Sequence, residues 1–257
     1  MANGPLGMLG CRPAARFSSF TVDNPMADLK VLSARAPQMA LAKLFAEFSR
    51  ESGHAVAATY NTVGAIGDRF KAGEAADLLI LSPAALAALG EALVAGSVTP
   101  IARAGLAVCV REGAPPPDLA TPEALKAALV AARCVSYSDP TAGGSAAAYF
   151  AKLLERLGVA GAVNAKAALG RNGHHVAELV ADGTAELGVS FLSELVAIKG
   201  VAIAAPLPPQ LQNYTVYAAG LPTASRAPDA ARALMAFVTR PETASTWRTA
   251  GLESAGS

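Results

Sequence analysis

Cysteine and histidine are scarce in this sequence, which argues against a metal centre. The 257 residues include three cysteines and three histidines. The cysteines, at Cys11, Cys109 and Cys134, are not spaced like the ligands of a zinc site. Cys109 and Cys134 lie within apolar runs, a position typical of buried free thiols. We therefore expect neither a bound metal nor a cofactor.

An excess of charge and a long apolar run are missing as well. Lys and Arg number 21 against 20 Asp and Glu, and a net charge of +1 argues against a nucleic-acid partner. The most apolar stretch, residues 78–94, is interrupted by serine, proline, glycine and glutamate, so we expect no transmembrane segment. Only 5% of the residues are aromatic although 53% are hydrophobic, and abundant alanine suits helices packed closely on a sheet.

Residues 1–27 show neither helical nor strand periodicity, and we expect this segment to be disordered. It lacks an unbroken apolar core after a basic start, so it does not have the pattern of a signal peptide. The sequence as it stands therefore predicts a cytoplasmic protein. Met26 directly precedes the first predicted strand and is a second candidate start. If the assigned start is wrong, a periplasmic location is the alternative.

From residue 29 onward, predicted strands and helices alternate, which is typical of an α/β protein with parallel strands and right-handed crossovers. In the first part of the chain the patterns predict strands at 29–33, 56–60 and 77–81, helices at 37–52, 64–71 and 83–95, and one long strand at 101–110.

Two proline-rich breaks, at residues 114–118 and 206–209, divide this alternation. A self-contained run of strands and helices lies between them, and a strand predicted at 214–219 returns to the first part. The sequence therefore predicts two lobes with a cleft between them. Residues 28–107 plus 216–257 form the first lobe, and residues 108–215 form the second.

Four loops should face this cleft, because each precedes a predicted helix at the end of a strand: 33–38, 61–64, 141–145 and 172–174. In one of them Gly143 and Gly144 permit close backbone approach, and Ser145 lies at the helix start. Taken alone, this segment favours glycines that only tighten a strand-to-helix turn. Helix N-termini attract anions through unpaired N–H groups and the helix dipole, so four helix starts at one cleft indicate an anionic ligand.

At these loops the sequence resembles the molybdate-binding proteins of ABC importers, which have the type II solute-binding fold. The resemblance covers about residues 29–253 and is carried by five segments in the same order: KVLSARAPQMALAKLFAEFSRESG, YNTVGAIGDRFKAGEAADLLIL, SDPTAGGSAAAYFAKLLERLG, VAELVADGTAELGVSFLSEL and AGLES. It implies a two-lobed α/β fold that holds a small anionic ligand. An ABC permease is the expected partner if the protein is exported, and we expect a monomer.

Several positions at which the family uses hydroxyl groups differ here. The resemblance places the first-loop serine at Ala36, the second-loop serines at Thr62 and Val63, and the ligand-binding tyrosine at Phe191. Three hydroxyl donors are therefore missing. Each hydrogen bond lost to a charged ligand costs on the order of 1.5–3 kcal/mol, so molybdate is a poor fit.

The other candidate ligand-binding residues are Ser33, Arg35, Asn61, Thr141, Ser145, Gly173 and His174. The resemblance implies that Ser145 and Gly173 contribute backbone donors. Arg35 offers a planar fork that matches a carboxylate, which favours an organic acid over a metal oxyanion. For both Arg35 and His174, a solvent-exposed side chain remains the alternative.

Two functions are compatible with these residues. The first is a solute-binding-type protein that holds a small anion, more readily an organic acid than molybdate, in the cleft. The sequence does not separate a transport protein of this kind from a cytoplasmic ligand sensor. The alternative is an enzyme, because aconitate isomerase resembles this same family and shifts a double bond of a tricarboxylate by proton transfer. In that case Arg35 and His174 are the candidate catalytic residues, with Tyr60 as a second proton-exchanging group. The helix N-terminus at His174 should lower the pKa of the imidazole.

Overall fold

The computed structural model describes residue 1, residues 26–142 and residues 144–255. The disorder predicted for residues 1–27 therefore concerns a segment that lies almost wholly outside the described residues. The same holds for Cys11 and for Gly143 in the predicted cleft loop.

Strands and mostly short helices alternate along the described chain. The strands are β1 (Asp28–Ala34), β2 (Ala55–Asn61), β3 (Leu78–Leu81), β4 (Thr99–Ala104), β5 (Leu106–Arg111), β6 (Val135–Ser138), β7 (Ala167–Gly170), β8 (Leu187–Phe191), β9 (Val201–Pro206), β10 (Thr215–Gly220) and β11 (Glu253–Ser254). The α-helices are α1 (Gln38–Ser52), α2 (Val63–Lys71), α3 (Pro83–Ala87), α4 (Pro122–Ala131), α5 (Ser145–Arg156), α6 (Ala160–Asn164), α7 (Gly173–Ala181), α8 (Leu192–Leu195), α9 (Pro228–Thr239) and α10 (Ala244–Thr249).

The first sheet has six strands in the order β11-β4-β10-β3-β1-β2. β1 pairs in parallel with β2 and β3, whereas β10 pairs antiparallel with β3 and β4. The prediction of parallel pairing throughout is wrong for this part of the sheet. The chain reaches β10 directly from β9 of the second sheet and not through a helix that packs on the first sheet. The helical crossover that parallel pairing requires is therefore absent there.

The second sheet has five strands in the order β7-β6-β8-β5-β9. β6 is parallel to β7 and β8, and β5 is antiparallel to β8 and β9. All five strands come from one continuous stretch, residues 106–206. The predicted two-lobed α/β architecture is confirmed, whereas the division at residues 107 and 216 stays a prediction.

The long strand predicted at 101–110 is wrong, because Gly105 separates β4 from β5 and the two strands enter different sheets. A Cβ atom at Gly105 would lie 3.1 Å from Cε1 of Tyr214 and 3.3 Å from Cδ of Gln212. The Gln212 amide accepts a hydrogen bond from Leu106 N at 2.9 Å and donates one to Leu106 O at 2.9 Å. The two chain crossings therefore meet closely at this glycine, and the Gln212 side chain joins them.

The helix predicted at 83–95 is also too long. α3 ends at Ala87, and a 3₁₀ turn at Gly90–Ala92 follows, with Gly90 at a φ of 54°. Glycine reaches this left-handed conformation without a steric cost, and the helix ends before it. The other elements predicted above end within two residues of their observed bounds. No helix in the described ranges is long and apolar enough to cross a membrane.

Candidate ligand-binding site

A cavity of about 410 Å³ opens between the two sheets and is lined from both sides. The first sheet contributes loops after β1, β2 and β3 and side chains of β10, and the second contributes the segments after β6, β7 and β8. Its lining residues are Ala34, Arg35, Ala36, Thr62, Val63, Gly64, Ser82, Ser138, Asp139, Ala142, Gly144, Ser145, Ala146, Ala147, Ala148, Arg171, Asn172, Gly173, Phe191, Glu194, Thr215 and Tyr217.

Five helices begin at this cavity among the described residues: α2, α3, α5, α7 and the four-residue α8, whose N-cap Phe191 lines it. Three of them are capped by the side chain of their own N-cap residue. Thr62 accepts a hydrogen bond from Ala65 N at the start of α2, and Ser82 accepts one from Ala85 N at the start of α3. At α7 the amide oxygen of Asn172 accepts from His175 N at 3.0 Å. Each cap occupies one of the N–H groups that a helix start otherwise leaves free.

α5 differs from these three because its N-cap is Gly144, which has no side chain to accept those hydrogen bonds. Ser145, Ala146 and Ala147, whose N–H groups form the first turn, all line the cavity. These N–H groups lie at the positive end of a 12-residue helix and donate no hydrogen bond to another described residue, which suits them to an anion. Of the three longer helices that begin here, α2, α5 and α7, α5 is the one whose N-cap has no side chain.

Arg35 lies in the loop after β1 and lines the cavity with its side chain partly buried. Within the described residues, its guanidinium forms no hydrogen bond and no ion pair, although its charge influences both Glu194 and His174. Guanidinium groups at such partly buried positions are usually paired with an acid. Arg35 is thus a positive charge in the cavity that a ligand carboxylate can satisfy.

Glu194, in α8, is a cavity residue that the sequence patterns did not indicate. Its side chain is only 9% exposed, and the Ser190 hydroxyl donates a hydrogen bond to Oε2 at 2.9 Å. Burial raises the pKa of the Glu194 carboxyl above its ordinary value, against the opposing effects of the Ser190 hydrogen bond and the Arg35 charge. The available signal was an acid within the otherwise apolar run that follows β8.

Six of the predicted ligand-binding residues line the cavity: Arg35, Ala36, Thr62, Ser145, Gly173 and Phe191. The structure brings these residues together from both lobes, as expected for loops at strand ends. Ala36 and Phe191 contribute no hydroxyl, in keeping with the expectation from the resemblance. Their roles in holding a ligand stay predictions.

The other four, Ser33, Asn61, Thr141 and His174, lie outside the lining. Ser33 is fully buried and donates to the carbonyl of Ala34, and Asn61 accepts a hydrogen bond from Thr62 N. Thr141 donates to Asp139 through both its backbone N–H and its hydroxyl. These three are occupied with local turn geometry rather than turned into the cavity.

His174 is half-buried directly behind the cavity-lining Gly173. Its pKa is lowered, first by burial and second by the charge of Arg35, while Glu178 opposes the shift. The lowered pKa of His174 has the direction predicted from the sequence. Its main causes are burial and the charge of Arg35. Tyr60 also lies outside the lining, and burial raises its pKa to about 12.

Hydroxyl groups at Ser82, Ser138, Thr215 and Tyr217 line the cavity and were not predicted. Tyr217 and Thr215 belong to β10, a strand that reaches the cavity only because it inserts between β3 and β4. Thr215 donates to the Ser145 hydroxyl at 3.4 Å and so links β10 to the start of α5. Across the parts of the chain that the structure describes, no three His, Cys, Asp or Glu side chains form a group able to hold a metal ion.

A sequence model of the family described as "Bacterial extracellular solute-binding protein" matches residues 29–253. An aconitate isomerase from a Pseudomonas species is 33% identical over 199 residues, which cover 75% of this chain and 73% of that protein. The periplasmic molybdate-binding protein of Azotobacter vinelandii superposes with a TM-score of 0.71 at 19% identity, over 87% of this chain and 98% of that one. PEB3 of Campylobacter jejuni, solved with L-phospholactate bound, superposes with a TM-score of 0.66 at 14% identity, over 88% of this chain and 99% of that one.

Proposed function

This chain belongs to the family of bacterial extracellular solute-binding proteins, and on that premise we propose that its cavity binds a small organic carboxylate. The fold alone does not select the ligand. One protein of the same fold is named for molybdate, and another was solved with L-phospholactate. The choice therefore rests on the side chains of this cavity.

The observation that carries the proposal is the guanidinium of Arg35 in the cavity wall, which has no hydrogen-bond or ion-pair partner among the described residues. Its planar donors match the two oxygens of a carboxylate, and each charge-assisted hydrogen bond contributes on the order of 1.5–3 kcal/mol. The N–H groups at the start of α5, which donate to no other described residue, supply a second anion-binding site built from backbone on the other lobe. A ligand with two or more carboxylates can bind to Arg35 and to the start of α5 at the same time.

Metal oxyanions fit this arrangement less well. The family's hydroxyl positions are occupied here by Ala36, Val63 and Phe191, all of which line the cavity. Arg35 presents a bidentate fork for a planar group, whereas a tetrahedral oxyanion is held by donors spread around it. The relative named aconitate isomerase supports a tricarboxylate as the ligand class.

A thermal-shift and calorimetric screen tests the proposal with molybdate, tungstate, sulfate and a series of di- and tricarboxylates. We expect stabilisation by the carboxylates, and we expect Arg35→Lys to weaken it by roughly tenfold or more because lysine keeps the charge but loses the fork. Arg171→Lys, at an exposed lining arginine, is the matched control and should have a smaller effect. Stabilisation by molybdate alone at low micromolar concentration would overturn the proposal.

A second candidate function is isomerisation of an unsaturated tricarboxylate, favoured by the 33% identity to an aconitate isomerase. In such a reaction a proton leaves the methylene carbon of the acid, the double bond moves by one position, and a proton is added to the former vinyl carbon. A neutral imidazole at His174 is suited to accept the first proton, and Arg35 to hold the carboxylate that carries the developing charge. Since His174 lies outside the cavity lining, this chemistry requires the lobes to close on the ligand.

Solvent exchange separates the two functions. An isomerase should exchange the methylene protons of bound aconitate for deuterium, and His174→Gln should retain binding while losing exchange and turnover. His175→Gln is the matched control, because the neighbouring imidazole accepts a hydrogen bond from Arg171 N and does not line the cavity. Binding of the acid without any proton exchange in the wild type would leave a binding protein and remove the enzyme.

Membership of this family also bears on where the protein is located and on its partner. The family is described as extracellular, which supports the periplasmic alternative over the cytoplasmic prediction, and we propose an ABC permease as the partner in that case. Cell fractionation tests the location. Permease and ATPase genes beside this one would support transport. The expected monomer stays a prediction, which size-exclusion chromatography with light scattering would check.

A further inference from the structure

The carboxyl group of Glu194 is built into the wall of the cavity rather than placed on its surface. α8 follows β8 directly, and the side chain of Glu194 packs against the backbone at the start of α7. A Cβ atom added to Gly173 would overlap both the carboxylate of Glu194 and the hydroxyl of Ser190, and would lie 2.6 Å from Glu194 Cδ. The acid therefore occupies space that only a glycine leaves open, next to the N–H groups of a helix start.

The hydrogen bonding of Glu194 is incomplete for an ionised group. Two carboxylate oxygens accept about four hydrogen bonds, yet the hydroxyl of Ser190 is the donor found for this side chain among the described residues. No ion pair involves it there, and Arg35 acts on it only through its field. A buried carboxylate with one neutral donor binds a proton readily, since burial disfavours its charged form.

The other ionisable groups of the cavity wall are Arg35, Arg171, Asp139 and Tyr217. Asp139 accepts two hydrogen bonds from Thr141, which hold its pKa below the usual range, and burial keeps Tyr217 protonated by raising its pKa. His174, behind the wall, faces the charge of Arg35. With Glu194 ionised the two arginines are balanced by two acids, and with Glu194 protonated the wall carries one net positive charge.

We infer that Glu194 makes anion binding in this cavity proton-linked: the anion enters together with a proton, which resides on the Glu194 carboxyl and is shared with the ligand. This inference rests on the proposed function, namely that the cavity binds a carboxylate. Two carboxylates in contact in a water-poor site repel each other, whereas one proton between them gives a short, charge-assisted hydrogen bond. Glu194 thereby supplies the hydrogen-bond donor that the hydroxyl-free positions at Ala36 and Phe191 do not.

The direction of the pH dependence follows from linkage. Below the Glu194 pKa of the free protein, both states carry the proton and affinity is independent of pH. Above it, ligand binding requires proton uptake, so affinity falls by up to about tenfold per pH unit until the pKa of the bound state is passed. In Glu194→Gln the amide remains a donor at every pH, so this contribution disappears.

Isothermal titration of trans-aconitate between pH 5 and pH 9, in buffers of different ionisation enthalpy, tests the inference. The wild type should take up close to one proton per ligand above the Glu194 pKa, and Glu194→Gln close to none. Titration of the ligand itself appears equally in both proteins and cancels in the comparison. Equal proton uptake in the two would overturn the inference. Absence of binding by the wild type at every pH would instead overturn the proposed function, and the inference with it.

Two further variants keep the test decisive if Glu194→Gln is poorly folded. Ser190→Ala removes the hydrogen bond that favours the charged carboxylate, so the pH at which affinity begins to fall should move upward. Asp139→Asn removes an acid from the same cavity wall and should leave the slope of affinity against pH unchanged, because Asp139 is ionised throughout this range. Loss of the slope in Asp139→Asn, with its retention in Ser190→Ala at an unmoved midpoint, would contradict the role of Glu194.

Discussion

Two buried acids, Asp77 and Glu194, illustrate how burial serves structure in one place and binding in another. Asp77 is 6% exposed and accepts hydrogen bonds from Lys30 N at 2.9 Å, Ser225 Oγ at 3.1 Å, and the backbone N–H groups of Arg226 at 2.8 Å and Ala227 at 3.3 Å. Glu194 is similarly buried but accepts one hydrogen bond from the described residues and faces a cavity. An acid satisfied by the protein joins segments of chain, whereas an acid left unsatisfied beside a cavity remains free to interact with a ligand.

The largest expected effect comes from removing the satisfied acid. Asp77→Ala removes the acceptor of Lys30 N and Arg226 N, whereas Ala227 N keeps Ser225 Oγ as a second acceptor. At roughly 1–3 kcal/mol for each N–H group left unsatisfied and buried, we expect a loss of about 3 kcal/mol in the free energy of unfolding. Urea denaturation measures it. The exposed Asp28 in β1 is the matched control, and Asp28→Ala should cost less than about 0.5 kcal/mol. A loss below 1 kcal/mol for Asp77→Ala would remove the contrast between the two acids.

A second variant acts on the space that Glu194 occupies. Gly173→Ala forces the carboxyl of Glu194 and the hydroxyl of Ser190 to move, so we expect a loss of about 1–3 kcal/mol in stability and weaker anion binding, because the displaced acid enters the cavity. The control is Gly67→Ala in α2, where an added Cβ meets no atom within 4 Å, and it should stabilise the helix slightly. Denaturant unfolding and calorimetry report both quantities. Unchanged stability in Gly173→Ala would show that the carboxyl is not confined.

A third variant tests the proton on Glu194 without any ligand. The raised pKa means that the folded state binds this proton more tightly than the unfolded chain, so the stabilisation is full below the ordinary pKa and is lost as pH rises through the folded-state pKa. Glu194→Gln should therefore change stability little at pH 5 and gain over the wild type at higher pH, by at most about 1.4 kcal/mol per pH unit. Parallel curves for the two proteins from pH 5 to pH 9 would contradict it.

The smallest effect, of opposite sign, belongs to His174. Its lowered pKa means that the unfolded chain binds the proton more tightly, so stability is present above the ordinary pKa and is lost as pH falls through the folded-state pKa. His174→Gln should match the wild type at pH 8 and be slightly more stable at pH 5. Thermal unfolding at both pH values measures the difference. A variant that is less stable at pH 5 than the wild type would reverse the assigned sign.

The difference between Asp77 and Glu194 also shows which features of the fold and the site sequence patterns predict and which they do not. Alternating strands and helices predicted the lobes, and the position of a loop before a helix predicted Arg35, Thr62, Ser145 and Gly173 as cavity residues. These are local features that the chain encodes over a few residues. Glu194 lies in a four-residue helix too short for any periodicity, and its burial depends on contacts with a distant segment.

The missed strand break and the missed hydroxyls have a similar cause. Residues 101–110 have the pattern of one apolar strand because strand propensity does not depend on which sheet a residue joins. The break at Gly105 appears only when β4 and β5 enter different sheets. Tyr217 reaches the cavity because β10 inserts between β3 and β4, a pairing between segments more than a hundred residues apart. Such placements are fixed by tertiary packing rather than by propensity.

The insertion of β10 has a consequence for the order in which the chain acquires its structure during synthesis. β3 and β4 are not neighbours until β10 lies between them, so the first sheet keeps an open gap at its centre until residue 220 has left the ribosome. The second sheet, in contrast, is complete once residue 206 has emerged. We therefore expect the later-synthesised lobe to finish folding first, with closure of the earlier sheet as the slow, high-contact-order step. Nascent chains released before residue 215 should expose the unpaired edges of β3 and β4.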